Sequence, residues 1–292
     1  MKAYSYYPGC TLEGTESEYD KSCRNVCRRL GIELSDIPDW NCCGALETSV
    51  DKALTLSLSA RNAAIAETME QEECVIPCSI CFNNMRKAQH EVKNATKVGE
   101  IIKRSLASAG LEYSGNVKIR HLLDVLLNDV GLEKIGEQVK RPLDALKVAP
   151  YYGCLVVRPS VICQFDDPHN PTSMDKVLKA LGADVVADFS HKVRCCGGST
   201  LMGDTATSFE LTKGILEDAI SCGADCIALV CPLCHTMLDG QQSRVEQYFN
   251  KKFDMPVVYL TQLMGLAFGM DEQDVALNQN IVSAKRIWRA VK

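Results

Sequence analysis

The hydrophobic pattern of the chain alternates between short apolar runs and longer amphipathic segments, and this alternation occurs twice. Short apolar runs predict strands, whereas apolar residues at every third or fourth position predict helices. The first half is predicted to contain a strand at 4–7, a helix at 17–30, a strand at 32–34, a helix at about 50–70, a strand at 74–76, a helix that opens at 78–81, a strand at 117–119 and a helix at 122–127. The second half is predicted to contain a strand at 146–152, a helix at 172–181, a strand at 184–187, a helix at about 205–220, strands at 227–230 and 257–259, and a helix after Thr261.

Strands that alternate with helices predict a parallel sheet with helices on its faces. We therefore expect an α/β fold with two duplicated Rossmann-like domains related by an approximate two-fold axis. Residues 128–142 are polar and contain two glycines before Arg141-Pro142, which makes them the predicted linker. The expected domains are residues 1–142 and residues 143–292.

The chain after Asp271 is mostly polar. Four apolar residues in it are spaced to fit one face of a helix, and they are Ile281, Val282, Ile287 and Trp288. We expect this helix to dock on the body of the protein or on a partner.

Ten of the sixteen cysteines form one spaced pattern that occurs once in each half. The first copy reads Cys-x31-Cys-Cys-x34-Cys-x2-Cys and consists of Cys10, Cys42, Cys43, Cys78 and Cys81. The second copy reads Cys-x40-Cys-Cys-x34-Cys-x2-Cys and consists of Cys154, Cys195, Cys196, Cys231 and Cys234. We call these the first and second quintets. Each group follows a predicted strand, and ligands of parallel sheets collect at the carboxyl ends of the strands, so each quintet should converge on one place.

Composition and charge exclude several of the roles that these cysteines could have. The 292 residues are 46% hydrophobic and 24% charged, with a net charge of −5 and a pI of about 5.6. An acidic chain without a basic cluster is not expected to bind nucleic acid. No signal peptide and no run of 18 apolar residues are apparent, so we expect a cytoplasmic protein without a membrane span. In a reducing cytoplasm, metal ligation or thiol chemistry accounts for sixteen cysteines better than disulfides do.

The pattern favours iron–sulfur ligation over other thiol sites. A Cys-x2-Cys pair alone fits zinc, iron–sulfur and thioredoxin-like chemistry, but a thioredoxin site needs no further cysteines. Adjacent cysteines in extended backbone point apart, so they fit two irons of one cluster better than a single ion. Zinc in one half stays open as the lesser alternative. Cys231-Pro232-Leu233-Cys234-His235 also fits a c-type haem attachment signature, which would require export.

Outside the quintets the signals are weaker. The remaining cysteines are expected to be buried and inert, and they are Cys23, Cys27, Cys74, Cys163, Cys222 and Cys226. Residues 197–200 (Gly-Gly-Ser-Thr) are interpreted as a glycine turn that lets the backbone approach a cluster rather than as an anion site. A modest basic set near the second quintet forms the candidate substrate contacts, namely Arg158, His169, Lys192 and Arg194.

The doubled pattern resembles the CCG-domain family. This family includes the B subunit of heterodisulfide reductase from methanogens and relatives in succinate:quinone reductase, glycolate oxidase and lactate utilisation. The resemblance extends over about residues 3–268. Length and content are most similar to the stand-alone B subunit, because the chain lacks the cubane-cluster motif Cys-x2-Cys-x2-Cys-x3-Cys-Pro that fused relatives carry.

The resemblance implies a cofactor, a substrate and partners. Each CCG motif of the family is associated with a noncubane [4Fe-4S] cluster, so the two quintets would each hold one, and the substrate is the mixed disulfide of coenzyme M and coenzyme B. The extra residues in the second copy, including Arg158 and residues 166–171, are expected to form a loop over the substrate. Electrons are expected from a ferredoxin-like C subunit with cubane clusters and from a flavin-containing A subunit. The chain would then be a disulfide-reducing oxidoreductase. Two alternatives stay open: a zinc or iron–sulfur electron-transfer subunit without a substrate of its own, and a CCG-type subunit of a flavin-linked hydroxy-acid or quinone oxidoreductase.

Overall fold

The computed structural model describes residues 2–292 and contains two four-stranded sheets in which every strand pair is parallel. The first half consists of β1 (Lys2–Tyr6), α1 (Cys10–Glu13), α2 (Ser17–Arg29), β2 (Ile32–Asp36), α3 (Lys52–Glu67), β3 (Glu73–Ile76), α4 (Ser79–Lys93), α5 (Lys97–Ser108), β4 (Lys118–His121), α6 (Leu122–Val125) and α7 (Leu132–Glu137). The second half consists of β5 (Lys147–Tyr151), α8 (Ser160–Cys163), α9 (Ser173–Ala180), β6 (Asp184–Val185), α10 (Thr205–Ser221), β7 (Cys226–Leu229), α11 (Pro232–His235), α12 (Gln242–Phe249), β8 (Val257–Tyr259), α13 (Leu260–Ala267) and α14 (Lys285–Val291). No helix in this range has the length and apolar character that a bilayer crossing would need.

The two sheets have the same topology, which confirms the predicted α/β class and its duplication. Their strand orders are β2-β1-β3-β4 and β6-β5-β7-β8. The central strands are buried on both faces, as β7 illustrates, because all four of its residues are buried. Parallel strands covered on both faces read as continuous apolar runs, which is why they could be found in the sequence.

The halves share one hydrophobic core across their junction. Side chains of β1 and α2 pack in the same cluster as side chains of β5 and α13. At this contact Ser22 and Thr261 also form a buried hydrogen bond of 2.7 Å. The segment 128–142 takes part in the packing, because α7 lies within it and Ile135 is fully buried in the shared core. The predicted linker is therefore partly helical and packed.

The C-terminal helix α14 docks on the body of the protein. Ile287 is fully buried in the shared core, and Trp288 packs against the same core. Ile281 is 72% exposed and precedes the helix, so its predicted place on the docking face is wrong. The helix begins four residues later than the apolar spacing suggested.

A buried arginine ties β4 to its neighbours. Arg120 is 5% exposed and pairs with Glu73 at 3.0 Å, with Asp124 at 2.7 Å and with Asp129 at 2.7 Å. Burial favours the neutral acid, yet hydrogen bonds from Lys2, Tyr4 and Arg120 hold the pKa of Asp129 well below its usual value. The structure therefore keeps this carboxylate ionised.

Replacement of Arg120 by alanine should destabilise the fold by about 2–3 kcal/mol, because it removes a buried cation whose charged hydrogen bonds join three partly exposed carboxylates. The exposed Lys118 pairs with Glu73 at 2.9 Å, and Lys118→Ala should cost only about 0–1 kcal/mol. Urea unfolding measures both values. A carboxylate whose pKa is lowered in the folded state stabilises the protein above its unfolded pKa, and this stabilisation is lost as the pH falls. The difference between wild type and Arg120→Ala should thus shrink below about pH 4. Equal losses for the two variants at neutral pH would contradict the assignment.

Candidate metal centres

The first quintet lies at the carboxyl end of the first sheet. Cys10 follows β1 and begins α1, while Cys42 and Cys43 lie in the loop after β2. Cys78 follows β3 as the N-cap of α4, and Cys81 lies in the first turn of that helix. The sulfur atoms of Cys10 and Cys42 are 3.5 Å apart, and those of Cys43 and Cys81 are 3.4 Å apart. The predicted convergence of these side chains is thus present.

The second quintet occupies the equivalent place in the second sheet. All five of its cysteines line one cavity of about 50 Å³ at the carboxyl ends of β5 and β7. Ser79 and Ile80 of the first half contribute to the same wall. A single water needs roughly 10–15 Å³ of such space, so the cavity is larger than one water would require.

The two quintets are continuous with one another. Within each half, the thiols contact one another in series. At the junction, Cys78 lies next to Cys231, and both residues are buried. The ten sulfurs thus follow one another in the order Cys10, Cys42, Cys43, Cys81, Cys78, Cys231, Cys234, Cys196, Cys195 and Cys154.

The close packing of these thiols favours ionisation of some of them and opposes it in their neighbours. In the first quintet the hydrogen bond from Cys42 holds the pKa of Cys43 well below its usual value. In the second quintet the hydrogen bond from Cys154 lowers the pKa of Cys195 to about 2. Because adjacent thiolates repel one another, all ten can ionise together only when cations compensate their charge. This is the donor chemistry of a multinuclear iron–sulfur site.

The backbone beside each quintet lies so close to the thiols that a side chain there would crowd them. Gly9 has φ +79°, and a Cβ atom added there would lie 3.3 Å from the sulfur of Cys81. Gly153 has φ +67°, and its added Cβ would lie 3.1 Å from the sulfur of Cys234. In each half, a glycine thus lets the backbone pass close to the last cysteine of the quintet, which is Cys81 or Cys234. Five converging thiols in each half are a donor set that fits iron–sulfur ligation.

Two tyrosines position the Cys-Cys loops, and the sequence interpretation missed them. The hydroxyl of Tyr7 donates to the carbonyl of Asn41 at 2.8 Å. The hydroxyl of Tyr151 donates to the carbonyl of Arg194 at 2.6 Å. Each carbonyl belongs to the residue directly before a Cys-Cys pair. Both tyrosines lie three residues before the first cysteine of their quintet, so their repeated position was a usable signal.

Each Cys-Cys pair is also anchored to the helix that follows it. Ser59 in α3 donates to the carbonyl of Cys43 at 2.7 Å, and Thr212 in α10 donates to the carbonyl of Cys196 at 2.9 Å. Asp51 caps the start of α3, as Asp204 caps the start of α10. The same hydrogen bonds in both halves hold the two loops in the same way.

The glycine after the second Cys-Cys pair lies against α10. Gly197 has φ +87°, and a Cβ atom there would lie 2.7 Å from the carbonyl oxygen of Ser208. A Cβ atom on Gly198 would overlap the side chain of Leu233, which lies between Cys231 and Cys234. These close approaches agree with the interpretation of residues 197–200 as a glycine turn.

A buried charged cluster joins the halves beneath the second quintet. Glu16 of the first half accepts hydrogen bonds from His235 at 2.5 Å, from Thr236 at 2.7 Å and from Tyr259 at 2.8 Å. Although burial opposes it, the contact with Glu16 raises the pKa of His235. Glu18 lies 3.7 Å from the same imidazole. His235 follows Cys234, so it is placed to anchor the second quintet to the first half.

The four candidate substrate contacts have different surroundings. Arg158 is half-buried, and its Nε donates to the carbonyl of Pro168 at 2.8 Å. Lys192 is buried and pairs with Asp175 at 3.0 Å. His169 and Arg194 are exposed, and Arg194 directly precedes Cys195. Their role in substrate binding stays a prediction.

The extra loop of the second copy is held by α4 of the first half. Asn83 donates to the carbonyls of Leu155 at 3.0 Å and Arg158 at 2.7 Å. Arg86 donates to the carbonyl of Ile162 at 2.9 Å. The first half therefore helps to shape the loop beside the second quintet.

The remaining cysteines lie apart from this series. Five are buried, namely Cys23, Cys27, Cys74, Cys163 and Cys226. Cys222 is partly exposed and contacts the carbonyl of Asp188 at 3.6 Å. All sixteen cysteines are free, so the described chain uses no disulfide. Burial raises the pKa of Cys226 to about 12, as expected for an inert thiol.

Comparison with known proteins identifies the duplicated segments. Residues 4–86 and 148–239 match the CCG cysteine-rich domain, and these ranges contain both quintets. The 8-methylmenaquinol:fumarate reductase membrane anchor subunit of Wolinella succinogenes is 36% identical over 98% of this chain and 99% of its own length. The B subunit of the ferredoxin:CoB-CoM heterodisulfide reductase of Methanosarcina mazei is 32% identical over 97% of this chain and 94% of its own length.

A solved structure has the same fold. The crystal structure of a hypothetical protein from Helicobacter pylori superposes with a TM-score of 0.77 and 15% sequence identity. It covers 97% of this chain, which spans about half of that protein's length, namely 52%. At this identity the likeness concerns the fold alone.

Proposed function

Because the chain belongs to the cysteine-rich CCG-domain family, together with the B subunit of heterodisulfide reductase, we propose that it is an iron–sulfur catalytic subunit that reduces the coenzyme M–coenzyme B heterodisulfide. The two quintets would each hold a noncubane four-iron cluster. The single observation that carries the proposal is the convergence of the two quintets at the junction of the halves, where Cys78 of the first lies next to Cys231 of the second. Its relatives are named as subunits of reductases, which supports an oxidoreductase.

The stoichiometry of the reaction explains why two centres would lie side by side. Cleavage of one S–S bond takes up two electrons and two protons and releases two thiols. When bound, iron–sulfur clusters supply electrons one at a time, so two neighbouring clusters cover both electrons. The protein's contribution is to keep the two sets of thiolates adjacent and largely shielded from water. The burial of Cys78 and Cys231 at the junction supports this.

The solvent exposure of the first quintet supports an electron donor on a separate subunit. Cys10 and Cys42 are exposed, whereas the equivalent cysteines of the second quintet, Cys154 and Cys195, are only partly exposed. A ferredoxin-like C subunit with cubane clusters could therefore reach the first quintet directly, and a flavin-containing A subunit would feed it in turn. The predicted cytoplasmic location remains part of this proposal, and cell fractionation tests it.

A second candidate function is a role in quinol-linked electron transfer. The 36% identity with a subunit of 8-methylmenaquinol:fumarate reductase favours it. In that case the same clusters would carry electrons between a quinol and a flavin subunit, with no disulfide as substrate. Both candidate functions require the same clusters. They differ in the molecule that exchanges electrons with the clusters, which is the heterodisulfide in the first and a quinol in the second.

Metal analysis after anaerobic purification tests the shared part of the proposal. We expect about eight irons and about eight sulfides per chain, because each four-iron cluster contains four of each. A value of about four irons with one zinc would leave one iron centre only, and a protein without iron would contradict both candidate functions.

Spectroscopy then separates the two candidates. Addition of the coenzyme M–coenzyme B disulfide to the reduced protein should oxidise the clusters and change their electron paramagnetic resonance signals. A matched control adds the two thiols instead of the disulfide. If only a menaquinol analogue changes the oxidation state of the clusters, the heterodisulfide proposal is wrong and the second candidate is favoured.

A further inference from the structure

Ser79 lies at the wall of the second quintet although it belongs to the first half. The residue follows Cys78 and begins α4, and it is 1% exposed. It lines the cavity that all five cysteines of the second quintet surround. Because Cys78 lies next to Cys231, the start of α4 reaches across the junction of the halves. A polar group of one half is thus placed beside the metal site of the other.

A buried histidine lies beside this hydroxyl. His121 is the N-cap of α6, and its Nδ1 accepts the backbone N–H of Leu123 at 3.2 Å. Burial lowers the pKa of His121 to about 4, so the ring is neutral at neutral pH and carries its proton on Nε2. Nε2 lies 3.4 Å from the oxygen of Ser79, and its proton is shared between this oxygen and the backbone carbonyls of Pro77 and Val230. An N–H group in this place occupies one lone pair of the Ser79 oxygen and leaves the hydroxyl proton to point elsewhere.

The proton of the Ser79 hydroxyl then has two places to go. It can point to the carbonyl of Val230 at 3.3 Å or into the cavity. Both contacts of the Ser79 oxygen are long for hydrogen bonds, at 3.4 Å to His121 and 3.3 Å to Val230, so neither fixes the direction of the hydroxyl proton. An anionic sulfur in the cavity would be the stronger acceptor, because hydrogen bonds to ionised groups are roughly twice as strong as neutral ones.

The other half lacks this donor. Pro232 follows Cys231 just as Ser79 follows Cys78, and proline has neither a side-chain nor a backbone donor. Tyr259 ends β8 as His121 ends β4, and its hydroxyl donates to Glu16. The duplication is therefore asymmetric at this one hydrogen bond.

We propose that Ser79, which lies beside His121, donates a hydrogen bond to the sulfur atoms of the second iron–sulfur centre and raises its reduction potential relative to the first. Hydrogen bonds to sulfur stabilise the more negative, reduced state of a cluster. The second centre would then be the electron-accepting one of the pair. The inference rests on the proposed function, because it requires that both quintets hold clusters.

Potentiometric titration followed by electron paramagnetic resonance tests the inference. In Ser79→Ala, the equilibrium constant for one-electron reduction of the second cluster should fall about tenfold, which corresponds to a potential lower by about 59 mV. The first cluster should keep its potential. A merely structural role for Ser79 would change the cluster content or both potentials rather than the second potential alone.

An isosteric pair isolates the hydroxyl group. Ser79→Thr should keep the wild-type potential, and Ser79→Val should lower it as alanine does; the pair also replaces the alanine variant if that variant loses iron. Equal potentials for the threonine and valine variants, each with full iron, would overturn the inference and leave the proposed function intact. A wild-type protein without a second cluster would instead overturn the proposed function.

Discussion

Replacement of Cys196 by alanine is expected to remove about four of the eight irons per chain and to abolish disulfide reduction. Cys196 is buried, lines the cavity of the second quintet and contacts Cys195 and Cys234. Its thiolate is a proposed ligand with neighbours on both sides, and the six cysteines outside the quintets lie apart from it. The loss should be visible as the disappearance of one cluster's magnetic resonance signal in the anaerobically purified protein.

A matched cysteine serves as the control. Cys226 lies in β7 and is as buried as a cysteine can be, yet it does not line the cavity of the second quintet. Cys226→Ala should keep all eight irons and wild-type turnover, with a loss of stability of about 1 kcal/mol for the small void in the core. Unchanged turnover in Cys196→Ala, or equal iron loss in the two variants, would contradict the ligand assignment.

Replacement of Gly197 by alanine should destabilise the protein by more than about 4 kcal/mol and deplete the second cluster. The positive φ alone costs about 1–2 kcal/mol for a residue with a Cβ atom. The added atom would also lie 2.7 Å from the carbonyl oxygen and 2.9 Å from the Cα of Ser208 in α10. Because backbone atoms cannot move aside as a side chain can, the Cys-Cys loop must shift away from its place. Urea unfolding and iron content report the two effects.

Gly110→Ala serves as a control variant in which the added Cβ atom causes backbone strain but no crowding. Gly110 has φ +72°, and an added Cβ atom would meet nothing within 4 Å. Gly110→Ala should therefore cost only about 1–2 kcal/mol and leave the iron content unchanged. If Gly197→Ala behaved like Gly110→Ala, the close packing of the loop on α10 would not be needed to hold the second quintet.

The residues that form the duplicated hydrogen bonds occur at the same offsets from the cysteines in both halves of the sequence. Tyr7 and Tyr151 precede the first cysteine of their quintets by the same interval, and Ser59 and Thr212 follow the Cys-Cys pair of their halves by the same interval. A search for every polar residue repeated at a constant offset would have found them. The cysteines were more conspicuous because they are rare residues and occur in closely spaced pairs.

The residues that contact one another across the junction of the halves are not repeated at a constant offset in the sequence. His121 and Tyr259 end equivalent strands, but their offsets differ because α5 has no counterpart between α12 and β8. Glu16 and His235 are more than two hundred positions apart and come from different halves. Neither pair follows from periodicity or spacing, so only the packing of the two halves reveals them.

By itself, the sequence determined the α/β class, the duplication and the ten cysteines at the strand ends, because periodicity and repeated spacing are local properties of the chain. Only the tertiary structure decided that the two quintets meet at Cys78 and Cys231, that Ser79 of the first half lines the second cavity, and that residues 128–142, which connect the two sheets, are partly helical and packed. The physical reason is that these contacts depend on how two separately specified halves bury a common core, and burial at such a junction is set by shape rather than by the order of residues.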